Sequence, residues 1–143
     1  MYTRVLFATD FDDVGVKAAH KAKKIADENH AELFLVHVVE PIPAYAYPGF
    51  AGFAEVELSI REQAQKELDS LADHLGVDAA HRLLEFGSTK NEVLRVAKKH
   101  KIDLLVAGSH GKHGLALLLG STADALLHGA QCDMLVVHSA AKS

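Results

Sequence analysis

The sequence predicts an α/β fold: a single doubly wound domain whose five-stranded, mainly parallel sheet is flanked by four helices, Rossmann-like in plan. Three observations carry this. Short apolar runs alternate with longer segments of helical period along the whole chain, the pattern of β-α units joined by right-handed crossovers. The first two runs are apolar on both alternations, as strands covered on both faces must be. The length, 143 residues, suits one domain spanning 1–143, and at that size folding buries roughly 68–70% of the chain's surface.

The first strand is predicted over Arg4 to Thr9. Asp10, Asp12 and Asp13 then offer N-caps for a helix with Ala18, Ala22, Ile25 and Ala26 on one face, ended by Asn29-His30. The second strand runs from Glu32 to Val39. Pro41, Pro43 and Pro48, all the prolines of the chain, follow with Gly49 and Gly52, so Pro41 to Phe53 reads as a long loop. A helix from about Glu55 to Leu75 carries a stripe of Ala64, Leu68, Leu71, Ala72 and Leu75, and Gly76 stops it. Ala80 to Phe86 is the third and least apolar strand, expected nearer an edge. Thr89-x-x-Glu92 reads as a capping box for a helix carrying Val93, Leu94, Val96 and Ala97. Asp103 to Ala107 is the fourth strand, Ser121 caps a last helix ending at Gly129, and Asp133 to Val137 is the fifth strand. There is no internal repeat, low-complexity tract or second domain.

Composition narrows the classes of function. Apolar residues make up 49% and charged residues 24%, with a net charge of −4, so a disordered chain and a general nucleic-acid binder are both disfavoured. One cysteine, Cys132, excludes an internal disulfide and suits a reducing compartment. The apolar segment ending at Asp10 is too short for a signal-peptide core, and no stretch reaches the ~18 apolar residues of a membrane helix. The expectation is a soluble, cytoplasmic protein.

The chemistry concentrates in Gly108 to Thr122, GSHGKHGLALLLGST. Gly108, Gly111 and Gly114 follow the fourth strand, and Gly120-Ser121 opens the last helix. Glycines let backbone amides approach an anion, and a helix start adds unpaired N–H groups and the positive end of the dipole. Ser121 and Thr122 can donate hydroxyl bonds to the same oxygens. The alternative is a glycine-rich turn with an ordinary serine cap. A Walker A loop is excluded because Gly111-Lys112 is followed by His113, and neither Gly-x-Gly-x-x-Gly nor Gly-x-Ser-x-Gly occurs here. In this architecture ligands bind at the carboxyl ends of the strands, here Thr9-Asp10, Val38-Val39, Phe86-Gly87 and Ala107-Gly108.

The chain resembles the universal stress protein family, over essentially its whole length. The resemblance rests on a first strand ending Ala-Thr-Asp-Phe, a second ending His-Val-Val-Glu-Pro, and a late Gly-x-x-Gly followed by Gly-Ser. The pattern of nucleotide-binding members is Gly-x2-Gly-x9-Gly-Ser/Thr. Here Gly108-x2-Gly111 is separated from Gly120-Ser121 by eight residues, Lys112 to Leu119, one fewer than the pattern. The resemblance implies an adenine nucleotide, ATP or AMP, with or without magnesium. It implies that Asp10 bonds ribose or adenine and that Val38 holds adenine by its backbone. Ala107 and Gly108 would meet the ribose and α-phosphate, His110 and Gly111 the phosphates, and Gly120, Ser121 and Thr122 would supply further amides and hydroxyls. It also implies a homodimer through the last strand, Met134, Leu135, Val136 and Val137, an apolar edge of the kind that invites self-pairing.

Other residues have plainer readings. Asp10 also suits a helix cap, and the two roles are compatible. His110 and His113 lack a nearby carboxylate or cysteine, so they read as solvated loop histidines rather than metal ligands. His37 reads as a satisfied core or rim histidine, Cys132 as an inert buried thiol, and Lys98, Lys99, His100 and Lys101 as a basic helix end favoured by the dipole. Lys112 has two uses open to it, pairing with phosphate or pointing to water. For Tyr45, Tyr47, Phe50 and Phe53 the readings are packing on their own domain, a lid, or a partner contact. No general base or acidic metal pair stands beside the glycine loop, so binding and signalling are expected more than turnover, with any ATP hydrolysis slow. The alternative function is an interaction module of the same fold whose shorter spacer no longer holds a triphosphate.

Overall fold

The structure, a computed structural model, describes residues 1–9, 13–41, 52–108 and 131–137. Five strands lie in one sheet: β1 (Arg4–Ala8), β2 (Glu32–Val39), β3 (Arg82–Phe86), β4 (Leu104–Gly108) and β5 (Asp133–Val137). Three helices accompany them among the described residues: α1 (Asp13–Glu28), α2 (Phe53–Leu75) and α3 (Thr89–Lys99). All four strand pairings are parallel and the order is β3-β2-β1-β4-β5. The chain therefore winds outward from β1 to β3, then crosses back to build β4 and β5 on the other side. This is the doubly wound α/β class that the sequence predicts. The predicted fourth helix, Ser121 to Gly129, lies outside the described residues, as do the N-cap positions Asp10 and Asp12.

Alternation sorts each strand's residues between two cores. Val5, Phe7, Leu33, Leu35, Leu104 and Val106 pack with α1 and α2 through Ala18, Ala22, Ala26, Leu68 and Ala72. Leu6, Phe34, Val36, Val38 and Leu105 face the other way and pack with Val93, Val96 and Ala97 of α3. β1, in the middle of the sheet, has Val5, Leu6 and Phe7 at most 1% exposed. The alanine stripe of α1 lets that helix lie close to the sheet. Ile25 and Leu71, both predicted on buried faces, pack only partly buried at the margin of the first core.

Several predicted details differ: β1 ends at Ala8 rather than Thr9, and β4 runs Leu104–Gly108 rather than Asp103–Ala107, which puts Gly108 inside the strand. The third strand starts at Arg82 rather than Ala80, because Ala79–His81 forms a single 3₁₀ turn. His81 is used there to cover Phe34, its ring stacked at 4.1 Å, instead of joining the ladder. The α3 cap is Ser88, whose Oγ accepts from the Asn91 amide, not Thr89. Gly87 turns the chain sharply out of β3 at φ 139°, so the helix is entered one residue sooner. The Thr89 hydroxyl instead donates to the Glu40 carboxylate at 2.7 Å, bridging β2 to α3. Finally, α2 begins at Phe53, and its first buried residue is Ala64. Its first three turns overhang the sheet, leaving Val56 and Leu58 exposed. Its end is as predicted: Gly76 adopts φ 69°, and its N–H bonds back to Ala72 and Asp73.

Candidate binding site at the strand switch point

Strand order reverses between β1 and β4, the place where open α/β sheets bind ligands beyond the carboxyl ends of their strands. The register fixes what stands there. Ala8 pairs with Val36 of β2 on one side and with Ala107 of β4 on the other. Val38 lies two residues beyond that pairing, and Gly108 one residue beyond it. The sheet therefore brings Val38, Ala107 and Gly108 to one edge. Val38 and Ala107 are 3% and 5% exposed, and Gly108 ends β4 without a side chain to obstruct whatever approaches. Asp10, His110, Gly111, Gly120, Ser121 and Thr122, the remaining predicted contacts, lie outside the described residues.

Thr9 and His37 are the two buried polar residues found among the described ones, and both sit at this edge. The Thr9 amide donates to the Val36 carbonyl at 2.9 Å, extending the ladder one residue past β1. Nδ1 of His37 lies 2.7 Å from the Thr9 carbonyl. A carbonyl only accepts, so Nδ1 carries the proton and that tautomer is fixed. His37 is the satisfied histidine that the sequence predicts, but its role as the clasp on the end of β1 is not visible there. The sequence shows only that a bulky polar side chain inside an otherwise apolar strand must find a buried partner, and it does not name Thr9 as that partner.

Next along the edge, at the ends of β2 and β3, is a hollow of about 180 Å³ lined by Val39, Pro41, Ile60, Arg61, Phe86 and Gly87. The Arg61 guanidinium rests over the Phe86 ring, 4.1 Å from its centroid, and is steadied by Glu57 at 3.0 Å. A larger groove of about 540 Å³ runs along α3 past Lys98, Lys101 and Cys132. It opens at the amino ends of β4 and β5, away from the switch point, and contains none of the predicted site residues. Burial, then the Asp133 and Asp103 charges, push the half-buried Cys132 thiol up, which disfavours the thiolate. No group of three or more metal-ligating side chains occurs among the described residues.

The arrangement defines an open, doubly wound α/β domain with its candidate ligand edge at the β1/β4 switch. Comparison with known proteins then narrows the class. The universal stress protein family model matches residues 1–138, and the chain belongs to that family. It is 38% identical over 138 residues to universal stress protein A homolog 2 of Coxiella burnetii, spanning 95% of this chain and 94% of that protein. It is 35% identical to universal stress protein MJ0531 of Methanocaldococcus jannaschii, over 96% and 82% of the two chains. Among solved structures it is similar to the universal stress protein UspA from Lactobacillus plantarum, with TM-score 0.72, 25% identity, and coverage of 95% and 97%. It shares its fold with a universal stress protein in complex with cAMP, with TM-score 0.61, 24% identity, and coverage of 96% and 97%. Among the described residues no helix is long and apolar enough to cross a membrane.

Proposed function

We propose that this universal stress protein binds an adenine nucleotide at the carboxyl ends of β1 and β4 and acts as a cytoplasmic homodimer in stress signalling. The observation that carries the reading is the convergence of Val38, Ala107 and Gly108 at the switch point. Val38 lies near the end of β2 and Ala107 and Gly108 at the end of β4, and the two pairings of β1 bring them to the same edge. They fit one end of a nucleotide: a buried apolar wall at Val38, and a bare backbone at Gly108 where a sugar or first phosphate would pass. Asp10 would bond the ribose or base. His110, Gly111, Gly120, Ser121 and Thr122 would hold the phosphates with amides and hydroxyls. A related fold in complex with cAMP supports including cyclic nucleotides among the ligands tested.

The eight-residue spacer, Lys112 to Leu119, favours a second reading, in which the loop no longer accommodates a triphosphate and the protein serves as an interaction module. Titration calorimetry of nucleotide-stripped protein with ATP, ADP, AMP and cAMP, with and without magnesium, separates the two. Saturable binding of ATP supports the first reading and shows that eight spacer residues suffice. Preference for AMP or cAMP assigns a cradle for one phosphate. Absence of binding to all four overturns the nucleotide reading and leaves the interaction module.

A further inference from the structure

At the amino ends of the strands, opposite the candidate site, Phe34 of β2 lies between two imidazoles. His81, from the turn before β3, stacks on it with centroids 4.1 Å apart and planes 28° apart. His100, the residue that caps α3, leans against it at 5.2 Å and 45°. Arg4 joins the group from β1: its Nη1 donates to the His100 carbonyl at 2.8 Å, and its Nε lies 3.2 Å from Glu32 Oε2. The other Glu32 oxygen is 4.0 Å from His81 Nε2. These contacts close a ring through β1, β2, the 3₁₀ turn and the end of α3, around a phenylalanine only 4% exposed.

The charges facing the two imidazoles are unequal. His81 has the Glu32 carboxylate beside it. His100 faces Lys99 from its own helix, Arg4 from β1 and His81 across the ring, with Glu85 of β3 as the opposing anion. Asp103, which follows in the chain, is already taken up by the Thr3 and Arg4 amides. A proton on His100 would place a cation beside Arg4 and Lys99, where Glu85 is the opposing anion.

We propose that the His81–Phe34–His100 stack is an acid-sensitive fastener, holding the last turn of α3 on the sheet while His100 is neutral and loosening when His100 takes up a proton. Burial first, then Lys99, Arg4 and His81, hold the His100 imidazole below the usual histidine range. The sign follows. The unfolded chain takes up this proton nearer the reference value of about 6.5, before the folded protein does. The fastener's contribution is whole above that pH and is lost as pH falls through the lower folded value. Loosening would spread, because Val93, Val96 and Ala97 of α3 support the strand residues Val36, Val38 and Leu105.

The test is an NMR titration of the full chain from about pH 8 to about pH 4.5, across the histidine range, following the His100 imidazole, the Phe34 ring and amide protection over Lys98 to Ile102. We expect His100 to titrate below the reference value, with the Phe34 ring signals moving and amide protection falling in the same window. Lys99→Gln, at an exposed position, should raise the His100 midpoint, and His100→Gln should remove the loss of protection in that window. A His100 midpoint at or above the reference value overturns the proposal. So does unchanged protection of Lys98 to Ile102 while His100 titrates, or the same acid loss in His100→Gln as in the parent.

Discussion

The side chain of His37 clasps the main chain at Thr9. Its Nδ1 donates to the Thr9 carbonyl at 2.7 Å, so β2 holds the end of β1 at the point where the chain leaves the sheet. Both residues are buried, so the bond is shielded from competing water. It adds a side-chain tie to the main-chain bond that Thr9 already makes to the Val36 carbonyl.

His37→Leu should therefore cost about 1–3 kcal/mol, the usual penalty for removing one partner of a buried hydrogen bond. The measurement is a urea midpoint at unchanged m-value. On the proposed nucleotide site, affinity should fall further than stability alone explains, because Asp10 follows Thr9 directly in the chain. Equal stability and affinity in variant and parent would remove the clasp from the account of the site.

At the opposite end, Asp103 staples the start of β1. Its carboxylate accepts from the Thr3 amide at 2.8 Å, the Thr3 hydroxyl at 3.0 Å and the Arg4 amide at 2.9 Å. Burial pushes this carboxyl up, but the bonds from Thr3 and Arg4 outweigh it and hold it below the ordinary carboxylate range. A depressed folded value means stability that is present above the unfolded value of about 3.9 and lost as pH falls through the folded one. Asp103→Asn should be less stable than the parent at neutral pH, with the gap narrowing in acid. A pH-independent gap would mean that shape rather than charge carries the staple.

The dimer proposal makes a sharp demand on β5. That strand pairs with β4 on one side and stands at the margin of the sheet. Val136 is 36% exposed, whereas Leu135 packs against the first core and would confound any test. Val136→Lys should convert dimer to monomer in sedimentation while leaving far-UV circular dichroism unchanged. A variant that sediments as an undisturbed dimer moves the interface elsewhere.

For the phosphate end of the proposed nucleotide site, Gly111→Val should abolish nucleotide binding while the fold persists. On that reading, a Cβ and two methyl groups would obstruct the approach of backbone amides to an anion. Calorimetry on the variant gives the answer, and an affinity equal to the parent's places the phosphates away from Gly111.

The elements were legible because each obeys one dominant period. The second and fifth strands lie at their predicted bounds, Glu32–Val39 and Asp133–Val137, and Gly76 ends α2 as expected. Cap and strand onset were less legible because long-range partners decide them. Phe34 draws His81 out of β3's predicted start, and Glu40 occupies the Thr89 hydroxyl that would otherwise have been free to cap. The candidate site was legible as far as strand ends specify it, since Val38, Ala107 and Gly108 follow from alternation and register. The His37–Thr9 clasp was not, because no periodicity in either strand announces a bond between residues 28 positions apart.

The order β3-β2-β1-β4-β5 also has a history in time. During synthesis β1 emerges first and finds β2 almost at once, but its other flank waits for residues about a hundred positions later, as the 99-residue span between Arg4 and Asp103 records. Until β4 arrives, a growing chain carries a half-built sheet with one apolar flank of its central strand unpaired, the sort of edge that recruits foreign strands. Ribosome-bound intermediates ending before Leu104 should thus be the most chaperone-dependent stage in this protein's life. Completion of the sheet would come late, with β4 and then β5.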